Sequence, residues 1–112
     1  NMQAISIFPD DDVEKKRKEI IQAIKKVDQK KGVIVLTDMF GGTPSNLAIS
    51  VMDEEKVEVV AGVNLPMLIK ISSLRNKCKI KELIKISQES GRKYMNVASA
   101  FFGETTNCNK KN

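Results

Sequence analysis

Two short runs composed almost entirely of apolar residues interrupt an otherwise mixed pattern of hydrophobic and polar positions. Val33–Leu36 (VIVL) and Val57–Ala61 (VEVVA) are rich in β-branched residues, which is typical of strands buried in a sheet. Each run is followed by a glycine-containing turn and by a proline suited to the first turn of a helix. This repeated design predicts two strands whose carboxyl ends lie side by side at one edge of a sheet.

In the segments around these strands, apolar residues recur at the spacing of an α-helix. Ile20, Ile24 and Val27 recur at helical spacing and predict an amphipathic helix over Val13–Gln29. The carboxylates of Asp10–Asp12 precede it and are interpreted as an N-terminal cap, with a metal or catalytic cluster as the alternative. Further helices are predicted over residues 44–52, 66–74 and 80–90, and Gly91 is expected to end the last of them.

Two further segments permit strands near the chain ends. Gln3–Phe8 (QAISIF) alternates loosely and predicts a strand near a sheet edge. Lys93–Phe102 (KYMNVASAFF) also permits a strand, and its short crossover would make it antiparallel or pair it with another subunit. The alternation predicts an α/β fold: a doubly wound, mainly parallel sheet with helices on both faces. Residues 1–102 then form one domain, and the polar residues 103–112 are expected to be a disordered tail.

Composition narrows the function classes. The net charge is +5, from 19 Lys and Arg against 14 Asp and Glu, but no aromatic residues interleave the basic ones, which argues against nucleic-acid binding. The basic run Lys15–Lys18 is interpreted as a solvated helix face, with docking of an acidic partner as the alternative. No apolar run approaches the ~20 residues of a membrane span, and a cytoplasmic location is expected. Cys78 and Cys108 lack CxxC spacing, so no metal site and no cofactor are predicted.

The turn after the first predicted strand carries the candidate site. Asp38 ends the strand, Gly41 and Gly42 allow a sharp turn, and Thr43 is predicted to cap the next helix with its hydroxyl. Free N–H groups and the helix dipole at such a position favour an anion such as phosphate. Asp38 could instead only cap the turn, although the site role is favoured.

Two neighbouring residues have open interpretations. Phe40, with Met39, either forms a docking surface for a partner or packs within the turn. Asn64, in the turn after the second strand, either lines the site or only braces its own loop. The sequence alone leaves both pairs of alternatives open.

The two turns resemble a known family. Thr37–Asn46 (TDMFGGTPSN) followed by Ala61–Leu68 (AGVNLPML) resembles the mannose/fructose-type IIA component of the bacterial sugar phosphotransferase system. The resemblance extends from about Ala4 to Phe102. It implies a phosphocarrier in which a histidine accepts a phosphoryl group from a small histidine phosphocarrier protein and passes it to a IIB component.

The resemblance also implies roles for individual residues. Asp38 would orient the acceptor histidine, and the backbone N–H groups of Gly41, Gly42 and Thr43 would bind the phosphoryl oxygens. Neither a metal nor another cofactor is implied. The family's association through its last strand implies a homodimer, which could attach to a membrane permease complex without inserting into the membrane.

One departure from the family is large: the chain contains no histidine and starts at Asn1 rather than at Met. It also has no segment that matches the family's first strand and first helix, and that segment carries the acceptor. The favoured interpretation is that about 30–40 residues precede Asn1, the length of one strand–helix unit. The alternative is a degenerate or regulatory protein without phosphotransfer. An unrelated phosphate or nucleotide binder is disfavoured, because neither a P-loop lysine nor a GxGxxG motif is present.

Overall fold

The computed structural model describes residues 1–52 and 56–103. Its strands alternate with helices, which confirms the α/β class. The strand predicted over Val57–Ala61 begins and ends at these same two residues in the structure. In chain order, the elements are α1 (Val13–Val27), β1 (Val33–Thr37), α2 (Thr43–Ser50), β2 (Val57–Ala61), α3 (Leu65–Leu74), α4 (Ile80–Lys93) and a 3-10 helix (Ala98–Phe102).

Within the described residues, β1 and β2 form a two-stranded parallel sheet. Val33 pairs with Val57 and Leu36 pairs with Val60. Because side chains alternate along a strand, these two pairs face opposite sides of the sheet. The first pair packs with residues of α1 and α2, whereas Val60 is buried outside that cluster and α4 contacts β1. Helices therefore cover both faces of the sheet.

The main core lies between α1, α2 and the sheet. Ile20 and Ile24 of α1 pack with Leu47 and Val51 of the α2 region, and Val51 is completely buried. The apolar residues that recur at helical spacing along α1 are thus buried, as the sequence predicts. The N-terminus of α1 is capped by Asp12, whose carboxylate accepts hydrogen bonds from two backbone N–H groups. This confirms the capping interpretation of the acidic triplet.

The predicted strand over Gln3–Phe8 is wrong. These residues form no strand, although Ile5 and Ile7 pack against the main core while their neighbours are exposed. The alternation in the sequence is therefore real, but a strand also needs a partner for its backbone N–H and C=O groups. The only strand paired with β1 in the described residues is β2, so Gln3–Phe8 joins no ladder.

The end of the domain also departs from the prediction. Gly91 does not stop α4, which continues to Lys93, because Gly91 is buried where α4 passes close to α3. Within the described chain Lys93–Phe102 forms no strand, because a short connection leads from α4 into the 3-10 helix at Ala98–Phe102. The antiparallel strand is therefore wrong, whereas pairing with another subunit stays a prediction. In residues 1–52 and 56–103 the only strands are β1 and β2, which pair with each other. The predicted tail of residues 103–112 lies, from residue 104 onward, outside the described residues.

Candidate functional site

The turn between β1 and α2 places a helix N-terminus at the carboxyl edge of the sheet. Gly41 has a φ of +95°, a conformation that side chains with a Cβ rarely adopt. Gly42 is the N-cap of α2, since its carbonyl accepts a hydrogen bond from the N–H of Asn46 at 3.0 Å. The Ser45 hydroxyl, fully buried, donates to the same carbonyl at 3.0 Å. Glycine is thus used where the chain changes direction.

Thr43 was expected to cap α2, and the structure corrects this. Thr43 is the first residue of the helix, one position too late for its hydroxyl to cap, and no side chain caps the helix. The first turn also contains no acidic residue. The partial positive charge of the α2 N-terminus is therefore not neutralised by a cap, which favours an anionic ligand.

Asp38 is held mainly through its backbone. Its carbonyl accepts a hydrogen bond from the N–H of Gly62 at 2.9 Å, and the carbonyl of Thr37 accepts one from the N–H of Val63 at 3.0 Å. These two bonds join the turn after β1 to the turn after β2. The exposed carboxylate of Asp38 accepts a hydrogen bond from the N–H of Met39 at 2.8 Å. Its second oxygen remains available at the surface for a further donor.

Three of the predicted site residues, Asp38, Phe40 and Thr43, line two separate cavities. Asp38 and Phe40 border an open cavity of about 530 Å³ that extends along β2 and is also lined by Gln88 and Arg92 of α4. Thr43 borders another cavity, of about 350 Å³, which it shares with Pro44, Leu47 and the Ile7–Pro9 segment. Gly41 and Gly42 line neither. The structure therefore brings Asp38 and the α2 N-terminus into one turn but not into one cavity.

Asn64 braces its loop, which is one of the two alternatives left open by the sequence. It is the N-cap of α3, with its Oδ1 accepting from the N–H of Met67 at 3.1 Å. Its Nδ2 donates to the carbonyl of Gly91 in α4 at 2.9 Å. The cap could have been predicted, because asparagine directly before a Leu-Pro pair is a typical helix start. The contact with α4 joins residues 27 positions apart and has no local signal.

Phe40 and Met39 are 56% and 61% exposed. Such exposure disfavours the packing interpretation and leaves a docking surface as a prediction. Sequence reasoning missed Arg92, because the helix was expected to end before it. Arg92 places a cation in the wall of the cavity that contains Asp38.

Two residues of the basic run Lys15–Lys18 form contacts within the protein. Lys16 bonds to Glu19 at 3.0 Å and lies 3.8 Å from Asp11. The hydrogen bond to Glu19, with the charges of both carboxylates, raises the pKa of Lys16. Arg17 donates to the carbonyl of Ser50 at 3.3 Å. Only Lys15 and Lys18 of this run are exposed, as the interpretation of a solvated helix face requires, and docking of an acidic partner stays an untested alternative.

The described ranges contain neither a membrane-spanning helix nor a cluster of metal ligands. Across residues 1–52 and 56–103, no helix combines the length and the apolar character that crossing a bilayer requires. In the same part of the chain, no three Asp, Glu or Cys side chains lie close enough together to hold a metal ion.

Known proteins similar to this chain share one description. A family model for the PTS system fructose IIA component (EIIA-man) matches residues 1–88. The fructose-specific EIIA component of Bacillus subtilis (strain 168) is 29% identical, over 98% of this chain and 76% of its own length. The mannose-specific EIIAB component of Escherichia coli (strain K12) is 36% identical, over 82% of this chain but only 29% of its own length.

The fold has a matching experimental structure. The crystal structure of phosphotransferase system component EIIA from Streptococcus agalactiae superposes with a TM-score of 0.69 at 25% identity, covering 82% of this chain and 72% of that chain. The family match covers most of the chain and includes both strand–turn–helix units. The chain belongs to the EIIA-man family of phosphotransferase-system IIA components.

Proposed function

We propose that the chain is the larger part of a phosphocarrier domain that relays a phosphoryl group from a histidine phosphocarrier protein to a IIB component. The observation that carries this proposal is the uncapped N-terminus of α2, which adjoins Asp38 at the carboxyl edge of a parallel sheet. A phosphoryl group in transfer needs donors and positive potential around its oxygens, and an uncapped helix N-terminus supplies both.

The acceptor in this proposal is a histidine outside the 112 residues, since the chain contains none. The free oxygen of Asp38 would accept the N–H of that imidazole. This fixes the tautomer and leaves the other ring nitrogen to attack phosphorus. The N–H groups of Gly41, Gly42 and Thr43 would then receive the phosphoryl oxygens.

A transfer assay tests the relay. The gene's upstream sequence is added to the chain, and the extended protein is incubated with phosphoenolpyruvate and the general phosphotransferase proteins. We expect label on a histidine, with the acid lability of a phosphoramidate. D38N should lower the transfer rate by about 10–100-fold, the usual cost of losing the partner that orients a histidine. A wild-type extended protein that takes no label would contradict the proposal.

A matched carboxylate serves as the control for this assay. Asp28 also accepts a backbone N–H, from Lys30 at 2.9 Å, and it lies at the end of α1. D28N should leave the transfer rate unchanged. Equal losses in D28N and D38N would mean that the effect is not specific to the site.

The absence of histidine from the chain also favours a second candidate, a regulatory module on the same fold that performs no phosphotransfer. The residue sequence upstream of Asn1 discriminates the two. A histidine at the end of an upstream strand supports the phosphocarrier, whereas a translation start at Met2 supports the regulator. In the second case the exposed Met39 and Phe40 become the first candidates for contact with a partner.

A further inference from the structure

We propose that Asn64 is a positioning residue, which ties the loop that holds Asp38 to the C-terminal end of α4. The role of Asp38 itself rests on the proposed function above. The connection between Asn64 and Asp38 rests on backbone and side-chain contacts that are independent of any ligand.

The side-chain amide of Asn64 joins two helix ends. Oδ1 accepts from the N–H of Met67, which is one of the first N–H groups of α3 and has no partner within that helix. Nδ2 donates to the carbonyl of Gly91, which lies in the last turn of α4 and likewise lacks a partner within its helix. The two partners also fix the orientation of the amide, because a backbone N–H requires the oxygen and a carbonyl requires the nitrogen.

Gly91 makes this close approach of the two helices feasible. A Cβ added to Gly91 would lie 3.2 Å from Cε of Met67 and 3.4 Å from Oδ1 of Asn64. Met67 is buried, and its Cε lies next to the position that a Cβ of Gly91 would take. Asn64 is therefore packed against α4 as well as hydrogen-bonded to it.

The loop that Asn64 anchors also holds Asp38. Gly62 and Val63, the two residues before Asn64, donate their N–H groups to the carbonyls of Asp38 and Thr37 at 2.9 and 3.0 Å. A shift of the 62–64 loop must therefore move the backbone of Asp38 or break these bonds. Arg92, next to Gly91 in α4, lines the same cavity as Asp38. Asn64 thus connects the loop that holds Asp38 to the helix end that carries Arg92.

Two substitutions separate this role from helix capping. N64S and N64D both keep an oxygen that can cap α3, but a serine is too short to reach Gly91 and a carboxylate cannot donate. Amide hydrogen exchange of the full chain should show Gly62 and Val63 exchanging about tenfold faster in both variants, the loss expected for one hydrogen bond. The amide signal of Met39, whose N–H bonds to Asp38, should shift. Amides of the β1–β2 ladder should exchange at the wild-type rate.

Ser90 provides the control. Its hydroxyl donates to the carbonyl of Pro66 at 3.5 Å, so it also joins α4 to α3 but not to the 62–64 loop. S90A should leave the exchange of Gly62 and Val63 unchanged. The proposal is overturned if these amides keep their wild-type rates in N64S and N64D, if S90A accelerates them equally, or if all ladder amides accelerate together.

Titration with inorganic phosphate keeps this inference separate from the proposed function. In the wild type, phosphate should shift the amide signals of Gly41, Gly42 and Thr43, and N64S should require several-fold more phosphate for the same shifts. If the wild-type amides do not respond to phosphate, the phosphoryl-binding role of this turn fails. The exchange rates of Gly62 and Val63 still decide whether Asn64 positions the loop.

Discussion

At the scale of single residues, the glycines at positive φ have unequal surroundings. Gly41 and Gly32 have φ values of +95° and +96°. A Cβ at Gly41 would meet no atom within 4 Å, whereas a Cβ at Gly32 would lie 2.6 Å from Cδ1 of Ile80. The two positions therefore share the same backbone strain but differ in the space around them.

This pair gives a prediction for stability. G41A should lower the free energy of unfolding by about 1 kcal/mol, the cost of placing a Cβ in the left-handed region. G32A should cost about 1 kcal/mol more, because the Ile80 side chain must leave its rotamer. Urea unfolding of both variants measures the difference. Equal losses would show that the tip of Ile80 moves aside without cost.

The residue scale is also where sequence reasoning reached its limit at the site. The identities of Asp38, Gly41 and Gly42 sufficed to predict the turn and its helix, because glycine and proline preferences are local. The cap predicted at Thr43 lies one position too late, because the N-cap is the residue whose backbone is still extended before the helix. In this chain that residue is Gly42. The tertiary contact of Asn64 with Gly91 depends on packing between helices that no local pattern encodes.

At the scale of elements, α1 is defined by both its apolar stripe and its cap. Asp12 accepts from the N–H groups of Glu14 at 2.9 Å and Lys15 at 3.2 Å. The helix packs through Ile20 and Ile24 on the main core, so loss of the cap should loosen only the first turn.

The cap can be tested against a neighbouring carboxylate. D12A should lower the free energy of unfolding by about 1 kcal/mol, the usual loss for an N-cap. Asp10 is exposed in the same loop and provides the control, because D10A removes the same charge two residues earlier without removing the cap. Thermal unfolding followed by circular dichroism measures both. A loss in D10A as large as in D12A would assign the effect to charge rather than to capping.

Elements differ in how far the sequence determines them. The helices and β1 and β2 could be predicted because the spacing of their apolar residues indicates which face of each element is buried. Gln3–Phe8 and Lys93–Phe102 could not, because a strand forms only where another strand offers its edge. The alternation of Ile5 and Ile7 predicts their burial correctly and the hydrogen bonding of their backbone incorrectly.

At the scale of the whole molecule, apolar side chains are concentrated on the surface near the end of the described chain. Met95, Phe101 and Phe102 are 81%, 74% and 83% exposed. Several large apolar side chains exposed in one short segment make this segment a candidate interaction surface. The homodimer implied by the family resemblance remains a prediction, and this segment is where it would form.

Sedimentation velocity over a range of concentrations tests the dimer. The wild-type chain should sediment as a dimer, and the double variant F101S/F102S should shift to the monomer. I69S is the control, because Ile69 is also exposed, at 60%, but lies in α3. A monomeric wild type, or equal dissociation in I69S, would contradict a specific interface at residues 95–102.

The two hydrogen bonds that join the turn after β1 to the turn after β2 restrict where this domain can be lengthened. An insertion between Thr37 and Asp38, or between Gly62 and Val63, would separate these carbonyls and N–H groups from their partners, so the chain cannot be lengthened at these two positions without losing a bond. Natural variation in loop length, and any epitope tag or fluorescent reporter placed by an engineer, should therefore be tolerated at other connections. The segment between α3 and α4 is a suitable place, because it lies away from these paired turns at the opposite end of α3.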